Sequence, residues 1–255
     1  MTEISLADKL RFERICSEML SADRERDSIG MYQEKRLHAT LKRYFCPDTE
    51  RHEQKIGAYT ADILSDGVIY EIQTGSFLPL KKKIAYYLEN TDLRINIVCP
   101  LAHKKWVSWL DPETGDISAR RRSPKSQNAR DALPEIYRIS ELMPNERLCV
   151  TVMLLEIEEY RLLCGWDKSR KRGSCRYERI PISIIGQESF CLPSDLETFL
   201  PPSDSFTAAE FSSFVGIKGR KAYHALYALQ NIGLICETNE KRGRARVFCK
   251  TYKDI

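Results

Sequence analysis

Two acidic residues carry the chemistry that this sequence can do. The stretch from Tyr59 to Thr74 reads Tyr-Thr-Ala-Asp-Ile-Leu-Ser-Asp-Gly-Val-Ile-Tyr-Glu-Ile-Gln-Thr. Asp66-Gly67 stands between two runs rich in β-branched and aromatic residues. That is the short-range signal of a two-residue hairpin, because both central residues of a type I′ turn need positive φ. Such a turn fixes the register. Ser65 faces Val68, Leu64 faces Ile69 and Ile63 faces Tyr70. Asp62 then faces Glu71, and Thr60 faces Gln73. Directly opposed side chains lie roughly 5 Å apart on one face. Two carboxylates there repel unless a cation stands between them. Acidic oxygens with water positions to spare suit Mg²⁺ or Mn²⁺. The competing expectations are a solvated hairpin face with scattered acids, or a longer turn with a different pairing.

Other elements must hold this hairpin in place. Residues 5 to 20 carry an imperfect apolar face and read as a helix, and 21 to 29 read as a loop. A second helix is expected over about 31 to 44, with Leu37, Leu41 and Tyr44 on its core side. Glu34 lies one turn before Leu37 and His38. It serves either as a solubilising charge or as a group that looks toward the site. His52 to Gly57 reads as a short strand. After Gly75, Pro79 or Leu80 opens a helix to about residue 89, with Leu80, Ile84, Tyr87 and Leu88 as its apolar side. Leu93 to Cys99 is strand-like. His103 to Leu110 and Ile117 to Arg121 read as a second hairpin around Asp111-Pro112-Glu113-Thr114-Gly115.

This order of elements, with these residues, resembles the PD-(D/E)xK, or restriction-endonuclease-like, nuclease superfamily over roughly residues 25 to 100. The resemblance implies an α/β fold with a mixed sheet flanked by helices. It matches the family's strand Asp to Asp62, its strand Glu to Glu71 and its helical Glu to Glu34. It implies Mg²⁺ (or Mn²⁺) held by Asp62, Glu71 and the Ile72 carbonyl. The family's usual lysine is Gln73 here, which can orient water but brings no charge. Lys55, or a lysine among residues 81 to 83, is the expected substitute.

The rest of the chain is basic in places. Arg120, Arg121, Arg122, Lys125 and Arg130 form one run. Asp167 to Arg179 forms another, with Lys168, Arg170, Lys171, Arg172, Arg176 and Arg179 against Asp167 and Glu178, and is either a clamp on a nucleic-acid backbone or a solubilising loop. Residues 129 to 142 read as a helix, and Leu148 to Leu155 and Ile180 to Ile185 as strands. Glu156 to Leu163 is open between strand and helix. Residues 193 to 205 look like a linker. Thr207 is an N-cap for a short helix, and Lys218 or Gly219 opens a longer one that Gly233 ends. Two strands then flank Asn239 to Gly243. About residues 203 to 253 resemble a winged helix-turn-helix domain. That implies DNA contacts from Lys218, Arg220, Lys221, Tyr223 and His224 on the second helix. Lys241, Arg242 and Arg244 would sit on the wing.

The bulk numbers bound the class. The chain has 255 residues, is 42% apolar and 30% charged, and has a net charge of +4. These are values of a folded globular protein rather than a disordered one. No apolar run approaches the roughly 20 residues that span a bilayer. The start lacks a basic segment followed by a hydrophobic one, so no secretory signal is expected. The nine cysteines include no Cys-x-x-Cys pair, and reduced, buried thiols are expected. The reading is a Mg²⁺-dependent nuclease, cytoplasmic, acting on DNA, with RNA left open as substrate. No membrane partner is expected, and a homodimer is, by analogy with the many dimeric nucleases it resembles. Three parts are expected: a nuclease-like core over 1–125, a basic extension over 126–202 and a winged helix over 203–255. The alternative is a non-catalytic DNA-binding or regulatory protein that keeps the fold.

Overall fold

The computed structural model describes residues 4–24, 36–163 and 175–251. Glu34, Lys168, Arg170, Lys171 and Arg172 lie outside the described residues. The protein is a mixed α/β fold with a central sheet flanked by helices. In the seven-stranded sheet the order is β1 (His52–Ile56), β2 (Tyr59–Ser65), β3 (Val68–Ile72), β4 (Arg94–Leu110), β6 (Leu148–Leu162) and β7 (Cys175–Phe190). The short β5 (Arg121–Arg122) pairs with β4. β2 and β3 are antiparallel, whereas β3 and β4 are parallel. A parallel pair needs a crossover, and helix α3 (Lys81–Asn90) supplies it.

The chain divides into two compact units. The first comprises Met1–His52, Pro100–Asn128 and Met153–Gln187. In it, α1 (Leu6–Arg24) and α2 (Arg36–Phe45) bury Phe12, Ile15, Leu37 and Leu41. The Phe12 and Tyr44 rings meet edge-on at 5.2 Å, and the Arg11 guanidinium lies 4.5 Å from the centre of the Tyr44 ring. The second unit comprises Glu53–Cys99, Ala129–Val152 and Glu188–Ile255. Its core includes Ile63, Ile69, Ile84, Tyr87, Ile95 and Ile97. The same unit holds α4 (Leu133–Ile136), α5 (Ala208–Val215) and α6 (Arg220–Ile232). A three-stranded sheet of β8 (Ser205–Thr207), β10 (Ala245–Lys250) and β9 (Ile235–Arg242) completes it.

Local chemistry explains most boundaries. Thr207 caps α5: its hydroxyl accepts from the Glu210 amide, and the Glu210 carboxylate accepts from the Thr207 amide. Gly216 and Gly233 end α5 and α6 with φ of 71° and 89°. Gly216 is also required sterically, since a Cβ there would stand 2.9 Å from the Arg130 guanidinium.

Several expectations are corrected. Residues 21 to 24, expected in a loop, belong to α1, which runs to Arg24, and 25 to 29 lie outside the described residues. The strands expected at 93–99 and 103–110 are one strand, β4, which passes through Pro100. Proline is tolerated there because the β3 pairing has ended at Val98. The second hairpin is reduced to a bridge between Leu110 and Ile117 and the two residues of β5. The helix expected over 129–142 is broken into 3-10 turns on either side of α4. Pro134 explains the break, because it cannot donate to the preceding turn. Residues 156 to 162 resolve to strand as part of β6. The expected linker holds a 3-10 helix, Pro193–Phe199, with Leu196 buried. Cys149 and Cys191 depart from the thiols expected of most cysteines and form a disulfide, while Cys16, Cys46 and Cys99 are buried free thiols. Among the described residues no helix is long and apolar enough to cross a membrane.

Candidate active site

The site is built on the β2–β3 hairpin. Asp66 and Gly67 have φ of 52° and 75°, the positive values a type I′ turn needs. Ser65, Leu64 and Ile63 pair with Val68, Ile69 and Tyr70. Beyond that ladder the Asp62 side chain takes over, and its Oδ2 accepts the Ile72 amide at 2.7 Å. The ladder ends at Ile63–Tyr70, and Asp62 reaches the end of β3 through the Ile72 amide, next to Glu71.

Glu71 is only 2% exposed. Its Oε2 accepts from Lys83 Nζ at 2.6 Å. Burial pushes the Glu71 carboxyl up to about 7, and the Asp62 charge adds to the rise; Lys83 and the Tyr87 hydroxyl oppose it without overcoming it. Lys83 and Tyr87 stand four residues apart on α3, so they share one face of the helix. The buried Tyr87 hydroxyl is near enough to Glu71 for each to shift the other's pKa, although no hydrogen bond of good geometry joins it to Glu71 Oε1. Burial and the Glu71 charge raise the pKa of Tyr87.

Gln73 continues the sheet through its backbone, its amide donating to the Val98 carbonyl at 2.9 Å. Its side-chain amide donates to the Ser76 carbonyl. The carboxamide is thus engaged with the turn that follows β3. The cation beside the acids comes instead from α3. Of the three adjacent lysines only Lys83 does this, while Lys81 pairs with Glu141 at 2.8 Å. Sequence spacing does not separate them, because Lys83 lies four residues before Tyr87 and Lys81 three before Ile84. Tyr87 was read only as core.

The donor set fits a small hard cation. It offers the carboxylates of Asp62 and Glu71 and a main-chain carbonyl position at Ile72. Among the described residues no group of three or more His, Cys, Asp and Glu side chains stands together.

The C-terminal basic residues divide into two sets. Lys218, Arg220 and Lys221 are exposed at the start of α6. Lys241, Arg242 and Arg244 are exposed around Gly243, between β9 and β10. Arg242 is also tied down, to Glu210 at 3.0 Å and to the Ser205 hydroxyl at 2.8 Å. It fastens the end of β9 to the start of α5. His224 is not the exposed group expected: its ring stacks on Tyr137 at 4.9 Å. Partial burial, with Arg138 and Arg220 nearby, lowers its pKa.

The chain belongs to the family described as Domain of unknown function (DUF8091), whose model matches residues 35–191. The match takes in Asp62, Glu71, Ile72, Gln73 and Lys83 and stops before α5. No curated protein and no solved structure matches the chain.

Proposed function

We propose that this member of the DUF8091 family is a Mg²⁺-dependent nuclease that hydrolyses phosphodiester bonds in DNA. The observation that carries the reading is the buried Glu71. It has one oxygen on Lys83 and the Tyr87 hydroxyl close by, beside an Asp62 carboxylate anchored at Ile72. In this reading Asp62, Glu71 and the Ile72 carbonyl hold Mg²⁺ (or Mn²⁺). When bound, the ion would supply Lewis-acid polarisation of the phosphodiester and a more acidic water. Glu71 gives up its proton to become a ligand. Lys83 provides the positive charge that Gln73 lacks, positioned to stabilise negative charge developing on the phosphate. Glu34 would orient water or aid a second ion.

The order α2, β2–β3, α3, β4 supports a restriction-endonuclease-like core. The order α5, α6, β9, β10 supports a winged helix that binds DNA through Lys218, Arg220, Lys221, Lys241 and Arg244, with Arg242 shared between DNA binding and anchoring. A cytoplasmic homodimer belongs to the same reading. The second reading is a non-catalytic DNA-binding or regulatory protein. Two observations favour it: the Gln73 side chain is held by Ser76, and Glu71 is closed onto Lys83.

A cleavage assay decides between them. Purified protein with Mg²⁺ or Mn²⁺ is offered duplex, single-stranded, flapped and branched DNA, and RNA. Cutting of at least one substrate is expected. EDTA should stop it, and Asp62→Ala and Glu71→Ala should each remove most turnover. Cutting that survives both substitutions would sink the proposed site. No cutting across the panel would favour the regulatory reading.

A further inference from the structure

A second charged centre lies in the first compact unit and plays no part in the chemistry above. Glu159, on β6, is fully buried. Its Oε1 accepts from Arg161 Nε at 2.8 Å and from the Arg161 terminal nitrogen at 2.7 Å. Its Oε2 has Arg176 and Arg179, both on β7, at 3.4 Å, and Lys105 of β4 at 3.6 Å. Four cations therefore converge on one carboxylate. Those on Oε2 are all longer than the roughly 2.7–2.9 Å of a good charged hydrogen bond. Three guanidiniums and an ammonium bring roughly eighteen N–H donors, far more than two carboxylate oxygens accept.

The contrast with neighbouring positions shows that this surplus is local. Lys104 and Trp106 alternate with Lys105 along β4, and Glu156 and Glu158 alternate in direction with Glu159 on β6, so they point the other way. There the charges are matched. Lys104 Nζ is 3.0 Å from Glu156, which also accepts the Trp106 indole at 2.6 Å. Arg120 is 3.9 Å from Glu158, and Arg36 is 3.1 Å from Glu178. Lys104, Arg120 and Arg36 each have a carboxylate of their own at those positions, whereas among the described residues four cations share the single Glu159 carboxylate.

The excess is also partly sheltered. The side chains of Lys105 and Arg179 are 17% and 19% exposed. Burial and the surrounding guanidiniums hold the Lys105 ammonium below its ordinary value, although Glu159 pulls the other way. Burial and the adjacent Arg176 do the same to Arg179. Arg161 and Arg176 stand at the open side, 34% and 55% exposed. The accessible Arg176 fork, the N–H groups of Arg161 not spent on Glu159 and the two more buried cations make a receptacle for a compact, multiply charged anion with several acceptor oxygens. Phosphate has that shape and charge, and arginine forks suit it.

We propose that Lys105, Arg161, Arg176 and Arg179 form a phosphate-binding site, with Glu159 as the internal counter-charge that holds the four in place. Its ligand is the phosphate of a nucleic-acid backbone or a free phosphate. The first source rests on the nucleic-acid reading above and the second does not.

Two measurements on the full-length chain test this, both in EDTA so that the metal site is not engaged. In one, melting is followed in sodium phosphate and in sodium chloride of equal ionic strength. In the other, a fluorescein-labelled single-stranded oligodeoxynucleotide is titrated by anisotropy at several salt concentrations. Phosphate should raise the Tm of the wild type beyond chloride. Arg161→Gln/Arg176→Gln, which changes the two more exposed arginines, should abolish that difference. If the backbone is the ligand, the double variant should also bind the oligonucleotide about tenfold more weakly. Its log–log salt slope should fall by about 0.7, the contribution of one single-strand phosphate left without its site. Glu159→Gln removes the counter-charge and should tighten anion binding; should it fail to fold, the double variant still decides. A phosphate effect alone supports free phosphate, and an oligonucleotide effect alone supports the backbone. Phosphate acting no more than chloride, together with unchanged oligonucleotide affinity and slope in the double variant, overturns the proposal. Neither arm involves cleavage, so a chain that binds here yet cuts nothing loses only the nuclease reading.

Discussion

At the scale of residues, the pair Glu71–Lys83 governs what the site can do. Glu71 titrates near 7 because burial disfavours its charged form more than Lys83 favours it. The sign of its stability contribution follows. A carboxyl raised from 4.5 to about 7 binds its proton more tightly in the folded state. Its contribution is most favourable below pH 4.5, declines from there and is lowest above about 7. The shift corresponds to about 3 kcal/mol. In EDTA, urea denaturation of wild type and Glu71→Gln should diverge by about that amount between pH 4.5 and 8, with the wild type losing stability relative to the variant. Parallel curves would place Glu71 in water rather than in the core. Lys83 gives the second expectation at this scale. If it meets phosphate charge, Lys83→Ala should lower kcat about 100-fold, the usual order for removing one electrostatic partner. Gln73→Ala should cost much less, since its side chain is occupied by Ser76. Equal losses from the two would return the catalytic role to Gln73.

At the scale of elements, α3 matters most, because it carries both Lys83 and Tyr87 to Glu71. Its C-terminal carbonyls are clamped by Arg147, whose guanidinium donates to the Leu88 and Thr91 carbonyls. A cation at that end also complements the helix dipole. Arg147 belongs to the segment just before β6, and its own carbonyl accepts from the Ile95 amide at 2.7 Å. It therefore fixes α3 against the start of β4. Two hydrogen bonds from a charged donor predict that Arg147→Ala costs about 3 kcal/mol in chemical denaturation. In the same variant Lys83 should be less well placed, so any cleavage activity should fall even at temperatures where the protein remains folded. A stability loss without loss of activity would show that α3 is held elsewhere.

For the whole molecule, the Cys149–Cys191 link joins positions 42 residues apart. Both lie in the second unit, at β6 and just after β7. Closing a loop of that length in the unfolded chain is worth about 4 kcal/mol in the chain-entropy account. Reduction with dithiothreitol should lower stability by about that much, and Cys149→Ser/Cys191→Ser should reproduce the loss and be indifferent to reductant. This bears on location, since such bonds are uncommon in reducing compartments. Protein isolated from the cytoplasm under alkylating conditions would reveal two free thiols at these positions if the link does not persist there.

How much the sequence determined depends on how far apart the cooperating residues lie. The hairpin was legible because its information is local. Asp66-Gly67 demands positive φ, the turn sets the pairing, and the pairing brings Asp62 toward Glu71. The caps at Thr207, Gly216 and Gly233 were legible for the same reason, since each acts within a few residues. Gln73 brings no charge to the site, and three adjacent lysines offer to supply one. Only the crossover of α3 over the parallel β3–β4 pair selects Lys83, and only the packing around it buries Glu71 and raises its pKa. The same holds for the Glu159 centre. Its members come from β4, β6 and β7, strands up to 74 positions apart by their numbers (Lys105 to Arg179) yet adjacent in the sheet order. Local preference fixes turns and ends of elements, because it acts through neighbouring dihedrals. Strand order and burial are collective, so the charges that meet across them, and the energies those meetings carry, were decided only when the sheet assembled.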